Sequence, residues 1–163
     1  MTIEDIALQM TPGIGLKGAV HLLEQFGDAR SIFAASADEL VGDAELRPEA
    51  AQQILRRKGF PAAEKELDHC RRNSITAIAS TDADYPPLLR EIPDYPHVIY
   101  VRGSIEALST RCISVVGTRE ATPYGQTACN RLVEGLAERV PGLCVVSGLA
   151  FGIDVAAHRA ALA

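Results

Sequence analysis

The sequence predicts an α/β protein with an all-helical N-terminal domain, residues 1–72, followed by the N-terminal portion of a parallel-sheet domain, residues 73–163. Two short apolar runs, Cys112–Val116 and Leu143–Val146, are rich in β-branched residues, which indicates strands buried on both faces. Each run enters a glycine-containing turn and then a helical pattern. Two successive strand–turn–helix units are typical of a parallel sheet. Before residue 73 the apolar spacing is helical, so the domain boundary is placed there.

Turn and capping residues divide the helical domain. Apolar residues recur at helical spacing over Ile3–Met10 and in a second helix that ends at Gly27, a residue that favours helix termination. Further helix starts are indicated by Asp28, by the capping box Ser36-Ala37-Asp38-Glu39, and by Pro48 and Pro61.

The second domain opens with two more strand patterns, Ile75–Ala79 and His97–Val101. Proline-rich turns and a short helical segment at Pro87–Glu91 separate them. The two strand–turn–helix units follow.

The charge distribution argues against a broad nucleic-acid-binding surface. The net charge is −5; it divides into −3 before Asn73 (9 basic, 12 acidic) and −2 after it (7 basic, 9 acidic). Binding of a polyanion therefore requires a local pocket. No lysine follows Lys65, so the second domain relies on arginines, whose planar guanidinium groups suit bidentate contacts with phosphate.

Composition indicates neither a membrane protein nor a metalloprotein. No apolar run reaches membrane-spanning length and no signal segment follows Met1, so we expect a cytoplasmic protein with no membrane partner. The four cysteines show no C-x-x-C spacing, and we interpret them as reduced packing residues, with Cys112 and Cys144 inside buried strands. The sequence predicts no metal and no other cofactor.

Two turns form the candidate binding site. Gly117-Thr118-Arg119 follows the first strand of the pair, and Ser147-Gly148 follows the second. The carboxyl ends of parallel strands share one edge, where helix N-termini offer unpaired N–H groups to anions. Gly117 permits a sharp exit that directs Thr118 and Arg119 over this edge. We interpret Arg119 as a phosphate ligand, and the alternatives are a solvated loop residue or an ion pair with a carboxylate.

The second turn continues as Leu149-Ala150-Phe151-Gly152-Ile153-Asp154. Gly148, Ala150 and Gly152 leave an open backbone around the start of a helix. These positions are therefore included in the candidate nucleic-acid-binding site.

No catalytic residue is predicted. Ser147 lacks the flanking G-x-S-x-G elbow of a nucleophile, and we interpret it as a hydrogen-bonding residue at the strand end. Asp154 and His158 lie one helical turn apart. Because no third ligand and no nucleophile accompany them, we interpret this pair as structural.

The N-terminal segment Thr11-Pro12-Gly13-Ile14-Gly15, followed by Lys17, resembles a helix–hairpin–helix (SAM-like) motif. The resemblance implies that backbone N–H groups at Gly13 and Gly15 hold a DNA phosphate, with Lys17 adding a charge. The alternative is a plain αα-hairpin whose glycines only satisfy the turn. The acidic flanks leave both interpretations open.

Three stretches taken together resemble the bacterial DNA-processing protein A family, DprA, also called Smf. They are YPPLLREIPDYPHVIYVRGS (85–104), SVVGTREATPYG (114–125) and VVSGLAFGIDVAAHRAAL (145–162). The resemblance covers about residues 85–162, and more loosely the helical segment before them. It implies that the second domain is an incomplete Rossmann-like domain, since the family's fold continues well past the position of Ala163.

The resemblance also implies a function. DprA proteins bind single-stranded DNA during natural transformation (competence) and recombination, protect the incoming DNA and help load the RecA recombinase; they are not known as catalysts. We expect a homodimer for the full-length protein. The family's Gly-Ser/Thr-Arg motif lines the DNA pocket and corresponds to Gly117-Thr118-Arg119. Its Ser-Gly-Leu-Ala-x-Gly-Ile-Asp motif corresponds to Ser147–Asp154, with Phe151 where arginine or lysine is common.

Two other functions remain open from the sequence. One is a nucleotide-binding or nucleotide-hydrolysing enzyme related to the nucleoside-monophosphate phosphoribohydrolases, although their Pro-Gly-Gly-x-Gly-Thr stretch does not occur in this chain. The other is a helical protein–protein interaction module joined to an inert scaffold. Nucleotide turnover and single-strand binding, measured side by side, distinguish all three.

Overall fold

The structure is a computed structural model that describes residues 1–163. The chain forms two compact units, Met1–Leu108 and Ser109–Ala163. The first unit extends past residue 72 because the two strands that follow pack on its helices. Whether the helical segment 1–72 forms a domain of its own stays a prediction. No helix of the chain combines the length and the apolar character needed to cross a membrane.

The first unit contains helices, two strands and two short turns of other helical types. The α-helices and strands are α1 (Ile3–Gln9), α2 (Leu16–Phe26), α3 (Ala29–Ala34), α4 (Pro48–Leu55), α5 (Phe60–Arg72), β1 (Ile75–Ala79), α6 (Pro87–Arg90) and β2 (Val98–Arg102). A π-helical turn lies at Glu39–Asp43, and a 3-10 turn, Glu106–Ser109, ends one residue past this unit.

The predicted caps of the helical segment are confirmed. Asp28 accepts a hydrogen bond from the Ser31 amide at 2.8 Å at the start of α3. Ser36 and Glu39 bond reciprocally, with the Ser36 amide 2.7 Å from the Glu39 carboxylate, although they introduce the π-helical turn rather than an α-helix. Gly27 follows α2 with φ 85°, as expected of a terminating glycine.

Strands β1 and β2 pair antiparallel and form a sheet of their own, with Ala79 opposite Val98. Ile6 and Ala7 of α1, Ala63 of α5 and Val98 of β2 form one buried cluster. The strand pair therefore completes the core of the first unit instead of extending the parallel sheet, because its apolar face matches the apolar faces of α1 and α5.

A buried chain of hydrogen bonds joins three segments of the first unit. His97 is 1% exposed; its Nε2 lies 2.9 Å from Oδ1 of Asp5 and its Nδ1 lies 2.8 Å from Oγ of Ser80. Since a carboxylate only accepts, Nε2 donates to Asp5, and a neutral ring then accepts from Ser80. Burial raises the pKa of Asp5, but hydrogen bonds from His97 and Thr2 outweigh it, and this pKa lies below its usual value.

The second unit has the predicted order of strand, helix, strand and helix. Its elements are β3 (Cys112–Ser114), α7 (Pro123–Arg139), β4 (Cys144–Val146) and α8 (Ile153–Leu162). Strands β3 and β4 are parallel, with Ile113 opposite Val145, which confirms the predicted parallel pair. Cys129 and Val133 of α7 and Ala157 of α8 form the core of this unit.

The prediction that both strands are buried on both faces is wrong. Val115 and Val145 pack against the core formed by α7 and α8, so both helices cover the same face of the strand pair. On the other face Val116 is 83% exposed and Val146 is 46% exposed. Cys112 lies on that face and is exposed, so it is not a packing residue. All four cysteines are free thiols.

Replacing His97 by alanine should destabilise the protein strongly. The substitution leaves the Asp5 carboxylate and the Ser80 hydroxyl without their shared partner, and each buried group left unpaired costs about 1–3 kcal/mol. We expect the free energy of unfolding, measured by urea denaturation, to fall by about 2–4 kcal/mol.

The matched control is His69→Ala. His69 is exposed and hydrogen-bonds only within its own turn, to Asn73. Its loss should change the unfolding free energy by less than about 0.5 kcal/mol. Equal effects of the two substitutions would mean that the buried chain of bonds contributes nothing.

Candidate nucleic-acid interface

The two predicted turns lie side by side at the carboxyl edge of β3 and β4. The Val115 amide donates to the Val146 carbonyl at 3.0 Å, which carries the pairing one step past the strands. The Ser147 hydroxyl donates to the Val115 carbonyl at 2.7 Å. Ser147 is therefore a hydrogen-bonding residue at the strand end, and it joins the second turn to the residue that follows β3.

Gly152 brings the second turn into direct contact with the first. Its φ is 86°, a conformation that L side chains rarely adopt. A methyl group at this position would lie 2.7 Å from the Arg119 carbonyl oxygen and closer still to that of Thr118. Only glycine fits between the two backbones. The adjacent Ile153 amide donates to the Thr118 carbonyl at 3.2 Å.

Gly117 is required for packing rather than for its backbone conformation, since its φ is not positive. A methyl group there would lie 2.7 Å from Cβ and Cγ1 of Ile153. The first residue of α8 therefore lies directly over the end of β3. Together with the Gly152 contact, this packing sets the spacing between the two turns.

The unpaired N–H groups of this edge differ in part from those expected. Two amides at the start of α8 are already used, since Ile153 donates to Thr118 and Val155 donates to Ala150. At α7, the Gly125 amide donates to the hydroxyl of the N-cap residue Thr122 at 3.1 Å. Further unpaired N–H groups lie in the loops, at Thr118, Arg119, Gly148 and Leu149. Loop amides thus take over part of the role expected of the helix N-termini.

Arg119 is exposed in the first of the two turns. Its guanidinium group makes no hydrogen bond and no ion pair with any residue of the chain. The alternative in which Arg119 pairs with a carboxylate is therefore not realised in this structure. The next residue, Glu120, is also exposed, and its amide donates to the Thr118 hydroxyl at 3.2 Å.

The two members of the Asp154–His158 pair lie on α8 without a hydrogen bond between them. Asp154 is buried beside Gly148, where a methyl group would lie 3.0 Å from the carboxylate. No hydrogen bond joins Asp154 to His158, whose Nε2 is buried without a partner. The chain contains no group of three or more His, Cys, Asp or Glu residues placed to hold a metal ion.

In the first unit, the residues of the N-terminal hairpin line two different grooves. Gly13, with φ 84°, lies in a groove of about 440 Å³ that also contains Arg47. Gly15 is the N-cap of α2 with open space around it. Lys17 lines a separate groove of about 460 Å³ with Arg90. Lys17 therefore lines a different groove from Gly13. The groove of Gly13 contains Arg47 instead, which no local sequence pattern predicts because the two residues are distant in the chain.

Comparison with known proteins identifies the family. A family model described as DNA recombination-mediator protein A matches residues 76–163, more than half of the chain. The chain belongs to this family. The resemblance to DprA and Smf proteins found in the sequence is thereby confirmed.

Individual DprA and Smf proteins also match this chain. DNA processing protein DprA of Bacillus subtilis is 36% identical over 104 residues, 63% of this chain and 34% of the relative. Protein Smf of Escherichia coli is 44% identical over 113 residues, 68% of this chain and 30% of the relative. The chain thus spans about a third of these relatives.

A solved member of the DNA recombination-mediator protein A family has the same fold. The X-ray structure of DNA processing protein A (DprA) from Streptococcus pneumoniae matches with a TM-score of 0.75 and 26% sequence identity. The match covers 99% of this chain and 54% of that one. The predicted α/β class with an incomplete Rossmann-like sheet is therefore confirmed.

Gly152→Ala should disrupt the contact between the two turns. The methyl group adds strain at a positive φ and also displaces the Thr118 and Arg119 carbonyls, so the unfolding free energy should fall by at least about 2 kcal/mol. The amide of Ile153 should exchange faster with solvent, because its bond to Thr118 is lost. Denaturation and hydrogen exchange measure the two effects.

Gly142→Ala is the control for backbone strain alone. Gly142 also has a positive φ, 75°, but no atom lies within 4 Å of the added methyl group. The cost there should be about 1–2 kcal/mol, with no change in exchange at Ile153. Equal costs at both positions would mean that the close approach at Gly152 does not constrain the turns.

Proposed function

We propose that the complete protein binds single-stranded DNA in natural transformation and recombination, through the edge formed by the loops 117–119 and 147–152. The observation that carries this proposal is the Arg119 guanidinium, exposed and unpaired beside free loop amides. An arginine in such a setting is a charge-assisted ligand for phosphate. Membership of a recombination-mediator family supports DNA as the source of that phosphate.

The low charge of the chain favours single strands over duplex. Affinity for duplex DNA depends on many phosphate contacts, and a net charge of −5 does not supply them. A local site with one arginine and several N–H groups suits a single strand, because the flexible backbone of the strand can place a phosphate in the site. We further propose, from the family resemblance alone, that the full-length protein acts as a non-catalytic homodimer that passes protected DNA to RecA.

Arg119→Ala should weaken binding to single-stranded DNA. Loss of a charged hydrogen bond costs about 1.5–3 kcal/mol, so affinity measured by fluorescence anisotropy at fixed salt should fall about ten- to a hundredfold. Arg119→Lys should recover part of this loss, because an ammonium group cannot make the forked contact. The melting temperature should stay nearly unchanged, since Arg119 is exposed and unpaired.

The matched control is Arg131→Ala. Arg131 is likewise exposed but lies along α7, beyond the two loops. It should retain affinity within about threefold. Unaltered binding by Arg119→Ala would overturn the proposed site, and nucleotide turnover by the wild-type protein would favour the enzyme alternative.

Lys17→Ala tests whether the N-terminal hairpin also holds DNA. If Lys17 contacts a phosphate, the substitution should weaken binding similarly for all base sequences and reduce the salt slope by roughly one. Lys65→Ala, another exposed lysine of the first unit, is the control. An unchanged slope would leave the plain αα-hairpin interpretation, in which Gly13 and Gly15 serve the turn alone.

A further inference from the structure

Large apolar side chains are exposed at the same edge as Arg119. Tyr124, in the first turn of α7, is 83% exposed, and Phe151, just before α8, is 82% exposed. Leu149, between β4 and Phe151, is 70% exposed. Single exposed apolar residues are common on protein surfaces, but a group of them beside a binding site indicates an interaction.

Contacts of neighbouring residues place the segments that carry the two rings beside the Arg119 loop. Gly152, next to Phe151, lies against the carbonyls of Thr118 and Arg119. Gly125, next to Tyr124, faces Ile153, since a methyl group there would lie 3.8 Å from Cδ1 of that residue. Ile153 in turn donates its amide to Thr118. The segments that carry the two rings therefore meet at the first turn.

The exposure of Phe151 follows from the backbone that carries it. Leu149 has φ 55° and Gly152 has φ 86°, so two residues with left-handed backbone flank the segment at the start of α8. The core of this unit lies further along both helices, at Cys129, Val133 and Ala157. Neither Phe151 nor Tyr124 stacks on another ring or on a cation of the chain. Both rings are free to receive an external partner.

We propose that Phe151 and Tyr124 stack on unpaired bases of the strand whose phosphate Arg119 binds. This inference rests on the proposed function and adds the groups that recognise the bases. Surfaces that bind single strands combine a positive charge for the backbone with aromatic faces for the bases, and every base has a face on which a ring can stack. In a duplex these faces are already stacked on neighbouring bases. The rings thus give a weakly charged site its preference for single strands.

The test compares oligothymidylate with a strand of the same length and charge that lacks bases. Wild-type protein should bind oligothymidylate about ten- to a hundredfold more tightly than the abasic strand. Phe151→Ala should remove most of this difference and leave abasic binding unchanged. Tyr124→Ala should remove part of it, whereas Phe151→Trp should preserve it. Arg119→Ala should weaken binding to both strands.

Leu132→Ala is the matched control. Leu132 is 58% exposed on α7, like Tyr124, but it lies further along that helix, away from the two turns. It should leave both affinities unchanged. Equal affinity of the wild-type protein for the two strands would overturn the stacking proposal while preserving the phosphate site. Full base-dependent binding by both Phe151→Ala and Tyr124→Ala would also overturn it. Failure to bind either strand would instead contradict the proposed function.

Discussion

The candidate site depends on the close approach of Gly152 to the carbonyls of Thr118 and Arg119. This contact holds the loop after β4 against the loop after β3, and the bond from Ile153 to Thr118 reinforces it. Any side chain at position 152 would separate the loops. The position of the Arg119 loop relative to the segment that carries Phe151 follows from this steric constraint.

The same constraint explains why loop amides, rather than helix N-termini alone, are the groups available to an anion. In packing against the first turn, the start of α8 uses the Ile153 amide internally, and Val155 bonds to Ala150. The amides of Gly148 and Leu149 remain unpaired. A phosphate at this edge would therefore meet unpaired backbone N–H groups of the loops and one arginine, and successive backbone N–H groups are known to bind anions.

The first unit is stabilised differently. Its helices and its antiparallel strand pair are connected by the buried Asp5–His97–Ser80 chain of hydrogen bonds. These are the residue types of a hydrolase triad, but Ser80 is buried and its hydroxyl bonds to Nδ1 of the histidine. The network fixes the position of α1 relative to the strands, and we interpret its role as structural. A buried polar network of this kind favours one arrangement of a core because every member must find its partner.

The sequence by itself determined the features that depend on neighbouring residues. These features include the cap at Asp28, the stop at Gly27, the order of the two strand–turn–helix units and the position of Arg119 just past a strand end. Each depends on neighbouring residues and was predicted correctly. Tertiary structure alone decided which faces are covered and which distant residues meet. Periodicity shows that Val116 and Val146 share a face of the strand pair, but it does not show that α7 and α8 both pack on the opposite face. Likewise, no local pattern places Arg47 beside Gly13 or Gly152 against Thr118, because such contacts arise only when separate segments pack in three dimensions.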